Sequence, residues 1–272
     1  MVCINTDTMP QNLGQIYEES SFKYLKGMNL VTGEPAGASS NIPDLTIKLG
    51  KGKDTAGLEL KTNPTAAGGL VMKYIDGTWE LGDTDGSEEK EFLKKLAQDN
   101  GILKMANSKR TAWGKSVPYL QYDPKNPKKK IYISNLSPSK AYDKDIKQYG
   151  GQAEIKVNID NTSVQKYYNS KSTYYMNVGS HGFYLLGKSD PLDLNGRLKK
   201  LGLDPIPNFN FPVFIRCRCQ DKSGGYNFNM VQTMKSGPYS PYNFLPMNSS
   251  GTINMREANS KINQELLKAF RI

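Results

Sequence analysis

With one histidine and three cysteines, this chain of 272 residues has few soft metal ligands. Histidine-centred nucleases and zinc hydrolases need two or more imidazoles, so His181 alone excludes those classes. Set in a Gly-Ser-His-Gly stretch, it reads as a turn residue, with contact to DNA or to an active site as the alternative. Cys3, Cys217 and Cys219 make no even disulfide framework, which points to a reducing compartment. Cys217 and Cys219 stand two apart on a predicted strand and are expected to face the core as small apolar groups. No run approaches the ~18 apolar residues of a membrane span, and no secretory apolar segment opens the chain. The expectation is a soluble cytoplasmic protein with no membrane partner.

Acidic residues are the minority charge. Asp and Glu number 26 against 36 Lys and Arg, a formal net charge of +10. That balance favours a polyanionic partner through attraction to phosphates, the alternative being a basic soluble protein with no nucleic-acid role. Hydrophobic content of 37% and aromatic content of 10% suffice for a globular core at this length.

The most informative stretch is IPDLTIKLGKGKDTAGLELK, residues 42–61. Leu45, Ile47 and Leu49 alternate with Asp44, Thr46 and Lys48, and Leu58 and Leu60 alternate with Glu59 and Lys61. Strand side chains switch faces at every residue. If both apolar faces enter one core, Asp44, Glu59 and Lys61 share the opposite face. Two carboxylates suit a hard cation such as Mg²⁺, which takes oxygen ligands from one or two acids plus phosphates and water. A lysine beside them can orient an attacking water or offset charge on a phosphate. Asp54 is a competing first carboxylate, but it falls in the turn between the strands and reads as solvated.

Pro43-Asp44, fourteen intervening residues and Glu59-Leu60-Lys61 resemble the PD-(D/E)XK motif of the restriction-endonuclease-like nucleases. Upstream, Gly14-Gln15-Ile16-Tyr17-Glu18 on a predicted helix and Gly37-Ala38-Ser39-Ser40 before the motif extend the likeness, as does Thr62 after it. The order is similar to the strand-nicking endonuclease of methyl-directed mismatch repair and related type II restriction enzymes, over roughly the first quarter of the chain. The resemblance implies Mg²⁺, or Mn²⁺ as substitute, held by Asp44, Glu59, Glu18 and the Leu60 carbonyl. It implies catalysis through these acids and Lys61, double-stranded DNA as substrate, and a bacterial or phage-infected cell as the setting. Glu18 matches the Gly-x-x-x-Glu spacing from Gly14; Glu19 and Glu34 are the competing acids.

Along the chain, Asn12 caps a predicted helix to Lys26, and residues 33–44 form a small-residue loop whose Ser39 and Ser40 are candidate phosphate contacts. Asp76-Gly77 joins VMKYI and TWEL as a hairpin, and Ser87 opens a second helix that stops at Gly101. Residues 104–130 interleave cations and rings, with Lys109, Arg110 and Lys115 as candidate DNA contacts; the alternative is a solvated loop. IYISNL and AEIKVNI read as strands, and Asp160 or Asn161 caps a short helix carrying Val164, Tyr167 and Tyr168. STYYMNVGSHGFYLLG is a predicted hairpin turning at residues 179–182, and VFIRCRC and YNFNMVQTM a ribbon that sets Arg216 and Arg218 on one face as further DNA contacts. One helix is expected over the end of the chain, from Met255, with Ile262, Leu266, Leu267 and Phe270 on its apolar stripe.

The expectation is an α/β fold: a restriction-endonuclease-like core with a mixed central β-sheet flanked by helices, and a β-rich C-terminal elaboration. It is read as a single nuclease domain, 1–272, with the catalytic core about 12–135 and the β-rich half about 136–272. The expected activity is Mg²⁺-dependent DNA endonuclease cleavage, with a homodimer as one arrangement. A nicking enzyme, resolvase or exonuclease would use the same trio, and a non-catalytic DNA-binding or phage structural protein is the reading from another class.

Overall fold

The computed structural model describes residues 12–36, 42–50, 52–63, 66–75, 78–81, 88–104, 119–123, 125–133, 154–222, 225–234 and 237–272. Its strands are β1 (Val31–Thr32), β2 (Leu45–Lys48), β3 (Thr55–Lys61), β4 (Ala66–Ile75), β5 (Thr78–Leu81), β6 (Tyr119–Asp123), β7 (Asn126–Ile133), β8 (Glu154–Ile159), β9 (Thr173–Val178), β10 (Gly182–Leu185), β11 (Val213–Lys222) and β12 (Gly225–Met234). The helices are α1 (Leu13–Gly27), α2 (Glu88–Asp99), α3 (Asn161–Ser170), α4 (Leu194–Lys200), α5 (Met255–Ala258) and α6 (Lys261–Ala269). None of the described helices is long and apolar enough to cross a membrane.

Two compact units divide the chain. The first takes Met1–Thr65, Asn161–Phe211 and Ser236–Ile272; the second takes Ala66–Asp160 and Pro212–Lys235. The sheet of the first unit therefore recruits β9 and β10 from beyond residue 136, while strands between residues 66 and 133 belong to the second.

The first unit is α/β, built on a mixed sheet in the order β1-β2-β3-β9-β10 and flanked by helices. β2 and β3 pair antiparallel, with Leu45 opposite Leu58, and β3 and β9 run parallel, with Leu60 level with Asn177 and Lys61 level with Val178. β3 is thus the central strand, and Ala56 through Leu60 are all buried. Leu58 and Leu60 enter a hydrophobic cluster with Tyr17, Leu25, Ile47, Phe244, Leu266 and Phe270. By strand alternation, Glu59 and Lys61 face the other way, level with Met176 and Val178 of β9. α3 packs against β9 and buries Val164 and Tyr168.

α1 begins as its sequence predicts. The Asn12 side chain accepts the Gln15 N–H at 3.0 Å, and the Gln15 side chain accepts the Asn12 N–H at 3.1 Å, a capping box that satisfies two orphan donors.

The single C-terminal helix expected from Met255 is instead two. Ser260 is extended, with ψ 151°, and separates α5 from α6. The interruption lets buried Asn263 bond outside its own helix: it accepts the Asn243 N–H at 2.7 Å and donates to the carbonyls of Asn243 at 2.7 Å and Glu257 at 2.9 Å. Leu266, Leu267 and Phe270 are buried, whereas Ile262 is exposed.

In the second unit a seven-stranded sheet runs β7-β6-β4-β12-β11-β8, with β5 paired to β4. The predicted hairpin of β4 and β5 and the ribbon of β11 and β12 are both present, the latter in register from Val213 opposite Met234 to Lys222 opposite Gly225.

Candidate active site

Asp44 follows Pro43, which has no N–H to extend a ladder, so β2 begins only at Leu45. One step beyond the Leu45–Leu58 pair, the antiparallel register sets Asp44 opposite Glu59. Beyond the end of the β2 ladder, the Leu60 N–H donates instead to the Asp44 side chain, whose Oδ2 accepts it at 2.7 Å. Close approach of the two strands depends on Gly57, where a Cβ would stand 2.6 Å from the Ser172 carbonyl oxygen and 2.7 Å from the Pro43 Cβ.

Glu59 is 5% exposed, and its Oε1 accepts a charged hydrogen bond from the Lys61 Nζ. The trio singled out by alternation is therefore one cluster on one end of β3. Burial raises the Asp44 carboxyl from its ordinary 3.8 to about 7; Glu59 adds to the rise, Lys61 and the Leu60 N–H oppose it, and Glu18 contributes a smaller push upward. Burial also works against the Lys61 ammonium, yet Glu59, Tyr168 and Asp44 together hold its pKa well above 10.5. The lysine stays charged at any physiological pH.

Of the acids competing with Glu18, Glu19 pairs with Lys23 at 2.7 Å one turn along α1, and Glu34 pairs with Lys26 at 3.4 Å. Glu18 is the one whose charge acts on Asp44. Asp54 is exposed. Ser39, Ser40, Lys109, Arg110 and Lys115 lie outside the described residues. Arg216 and Arg218 are on β11 in the second unit, level with Val231 and Asn229 of β12, but their side chains lie outside the described part.

Two features escaped sequence reasoning. Tyr168, read only as a residue of the short helix capped by Asp160 or Asn161, is 5% exposed, and its hydroxyl is held well above its ordinary pKa by burial first, then by Glu59 and Asp44. It lies within electrostatic reach of Glu59, Lys61 and Asp44, on the helix packed against β9. On the opposite face, the Asn177 Nδ2 donates to the Tyr17 hydroxyl at 2.8 Å and to the Leu245 carbonyl at 3.1 Å, which ties α1 to β9. A tyrosine and an asparagine at apolar-phase positions were the only signal for either.

Among the described residues, no group of three or more His, Cys, Asp and Glu side chains has metal-holding geometry. Two carboxylates nevertheless fit a hard cation that keeps several waters. The Asp44 carboxyl is driven up first by burial and then by the nearness of Glu59, and a divalent ion would relieve that repulsion. Comparison with known protein families, curated proteins and solved structures finds no match.

Proposed function

We propose that this chain is a Mg²⁺-dependent DNA endonuclease with a restriction-endonuclease-like core, acting on double-stranded DNA. The observation that carries the reading is the meeting of Asp44, Glu59 and Lys61, with Asp44 opposite Glu59 on the neighbouring strand and Lys61 bonded to Glu59. Sequence spacing alone could have arisen by chance; convergence in space adds an independent reason.

Asp44 and Glu59 would hold the ion, with Glu18 and the Leu60 carbonyl as further oxygen donors and Mn²⁺ as a substitute. A bound divalent cation supplies Lewis acidity toward phosphate oxygens and makes water more acidic. Within the chain, Lys61 presents a permanent positive charge beside the acids, suited to orienting a water nucleophile or steadying charge on the phosphate. The Leu60 N–H keeps the Asp44 carboxylate from rotating out of the cluster. Tyr168, itself buried, lies within electrostatic reach of Glu59, Lys61 and Asp44. The net charge of +10 favours approach of a polyanion.

The test is cleavage of supercoiled, linear and branched DNA in Mg²⁺ or Mn²⁺, which also separates endonuclease, nicking, resolvase and exonuclease action. Lys61→Ala and Asp44→Asn should each slow cleavage by about 100-fold or more. Wild-type protein that binds every substrate without cutting any would instead favour a non-catalytic DNA-binding or phage structural role.

A further inference from the structure

The turn between β9 and β10 carries a second built feature, separate from the acids and lysine of β3. It is attached to that strand directly: the Gly179 N–H donates to the Lys61 carbonyl at 2.7 Å, and the His181 N–H closes the turn onto the Val178 carbonyl at 2.8 Å. His181 is 7% exposed, yet its ring lies parallel to that of Tyr239, centroids 4.4 Å apart and planes 2° apart. Tyr239 is 73% exposed, more than any other large hydrophobic side chain among the described residues.

An exposed tyrosine usually samples several rotamers on a mobile loop. Here the backbone on either side is pinned. The Tyr184 hydroxyl lies 2.7 Å from the Pro238 carbonyl oxygen and 2.9 Å from that of His181, and it accepts the Ser240 N–H at 3.1 Å. The Ser240 N–H also donates to the His181 carbonyl at 2.9 Å, and the Phe183 N–H to the Tyr242 carbonyl at 2.6 Å. Gly182, at φ +118°, permits this closure, since a Cβ there would meet the Tyr242 carbonyl oxygen at 2.5 Å. Below, Phe211 meets the His181 ring edge-on at 5.6 Å.

The imidazole is held for its flat face. Its Nδ1 shares a hydrogen bond with the Ser180 hydroxyl at 2.7 Å, while Nε2 is buried with no hydrogen-bond partner. Leaving a buried polar atom unmet carries a cost that an apolar ring at this position would avoid. Burial lowers the imidazole pKa below 6.5 and keeps the ring neutral, so it stacks without an ionic role.

We propose that Tyr239, backed by His181, is a stacking platform for an unpaired nucleobase of the DNA bound at the β3 site. Every base has a π-face, and stacking on a preset aromatic ring recognises a flipped, bulged or single-stranded nucleotide whatever its sequence. A paired base keeps both faces inside the duplex. The platform therefore distinguishes DNA carrying an exposed base from fully paired DNA. The inference rests on the nucleic-acid part of the reading above and is independent of cleavage.

The experiment is fluorescence anisotropy with wild-type protein in EDTA, using end-labelled single-stranded, bulged and fully paired oligonucleotides. Tyr239→Ala should weaken binding to the first two by about tenfold or more, while Tyr239→Phe, which keeps the ring, stays within about twofold. Affinity for the paired duplex should not change. Aminopurine at the unpaired position should lose fluorescence on binding to wild type and Tyr239→Phe, and keep it with Tyr239→Ala. Equal affinity of wild type and Tyr239→Ala for the bulged DNA would overturn the platform even in a protein that cleaves. Binding that depends on Tyr239 in a protein that never cleaves would retain the platform and remove the endonuclease. Absence of binding to all three DNAs would overturn both.

Discussion

Asp44 is the residue on which most of the site's electrostatics turn. Its carboxyl rises from 3.8 in the ordinary state to about 7 in the fold because burial and Glu59 both disfavour its charge. A raised acid binds its proton more tightly folded than unfolded, so the folded state gains from protonation at low pH and loses that gain as pH climbs toward 7. In EDTA, thermal melts should therefore show lower stability at pH 8 than at pH 5, and Asp44→Asn should narrow the gap. A gap of unchanged size in the variant would refute this account. Addition of Mg²⁺ should raise the melting temperature of wild type at pH 8 and have little effect on Asp44→Asn, because an ion that binds only the folded state stabilises by mass action. Lys61 is the counterpart: charged throughout, its removal should lower cleavage while leaving Glu59 buried and unpaired, so Lys61→Ala should also melt below wild type.

At the scale of the element, β3 joins the core and the site. Its odd and even positions serve different faces, and its neighbours on both sides set how close Asp44 comes. Gly57 allows the approach, since any Cβ would strike the Ser172 carbonyl and Pro43. Gly57→Ala should therefore push the Pro43-Asp44 segment away from Glu59, reducing stability by about 1–3 kcal/mol in urea titrations and cleavage with it. Wild-type melting and wild-type cleavage in that variant would mean that the strands have slack. Farther from the site, Asn263 bridges α6 to the Asn243 backbone and to the end of α5. Asn263→Ala strands these buried groups, and urea denaturation should record a loss of about 2–3 kcal/mol. The break between α5 and α6 was illegible beforehand because the helical spacing of Ile262, Leu266, Leu267 and Phe270 continues a pattern begun by Met255. Only the partner on Asn243 explains why the chain stops and restarts.

For the whole molecule, the relevant quantities are charge and chain path. With a net charge of +10, DNA affinity should fall steeply with salt, by about tenfold or more between 50 and 200 mM KCl, as titrations in EDTA would measure. A flat response would argue against phosphate contacts. The path is interleaved: the first unit is assembled from three separate segments and the second from two. No local signal marks such a division. The chain passes between units after Thr65 and after Asp160, where no linker composition marks the change.

Sequence by itself determined the two strands of the site, their faces and the cap of α1, because side-chain alternation and capping are local and each is written within a few residues. It also determined that Glu59 and Lys61 share a side. Tertiary structure alone decided that β9 lies parallel to β3, that Tyr168 comes within electrostatic reach of the acids and that His181 stacks on Tyr239. Those contacts join residues more than fifty positions apart, and pairing over such distances depends on which surfaces fit once the core closes.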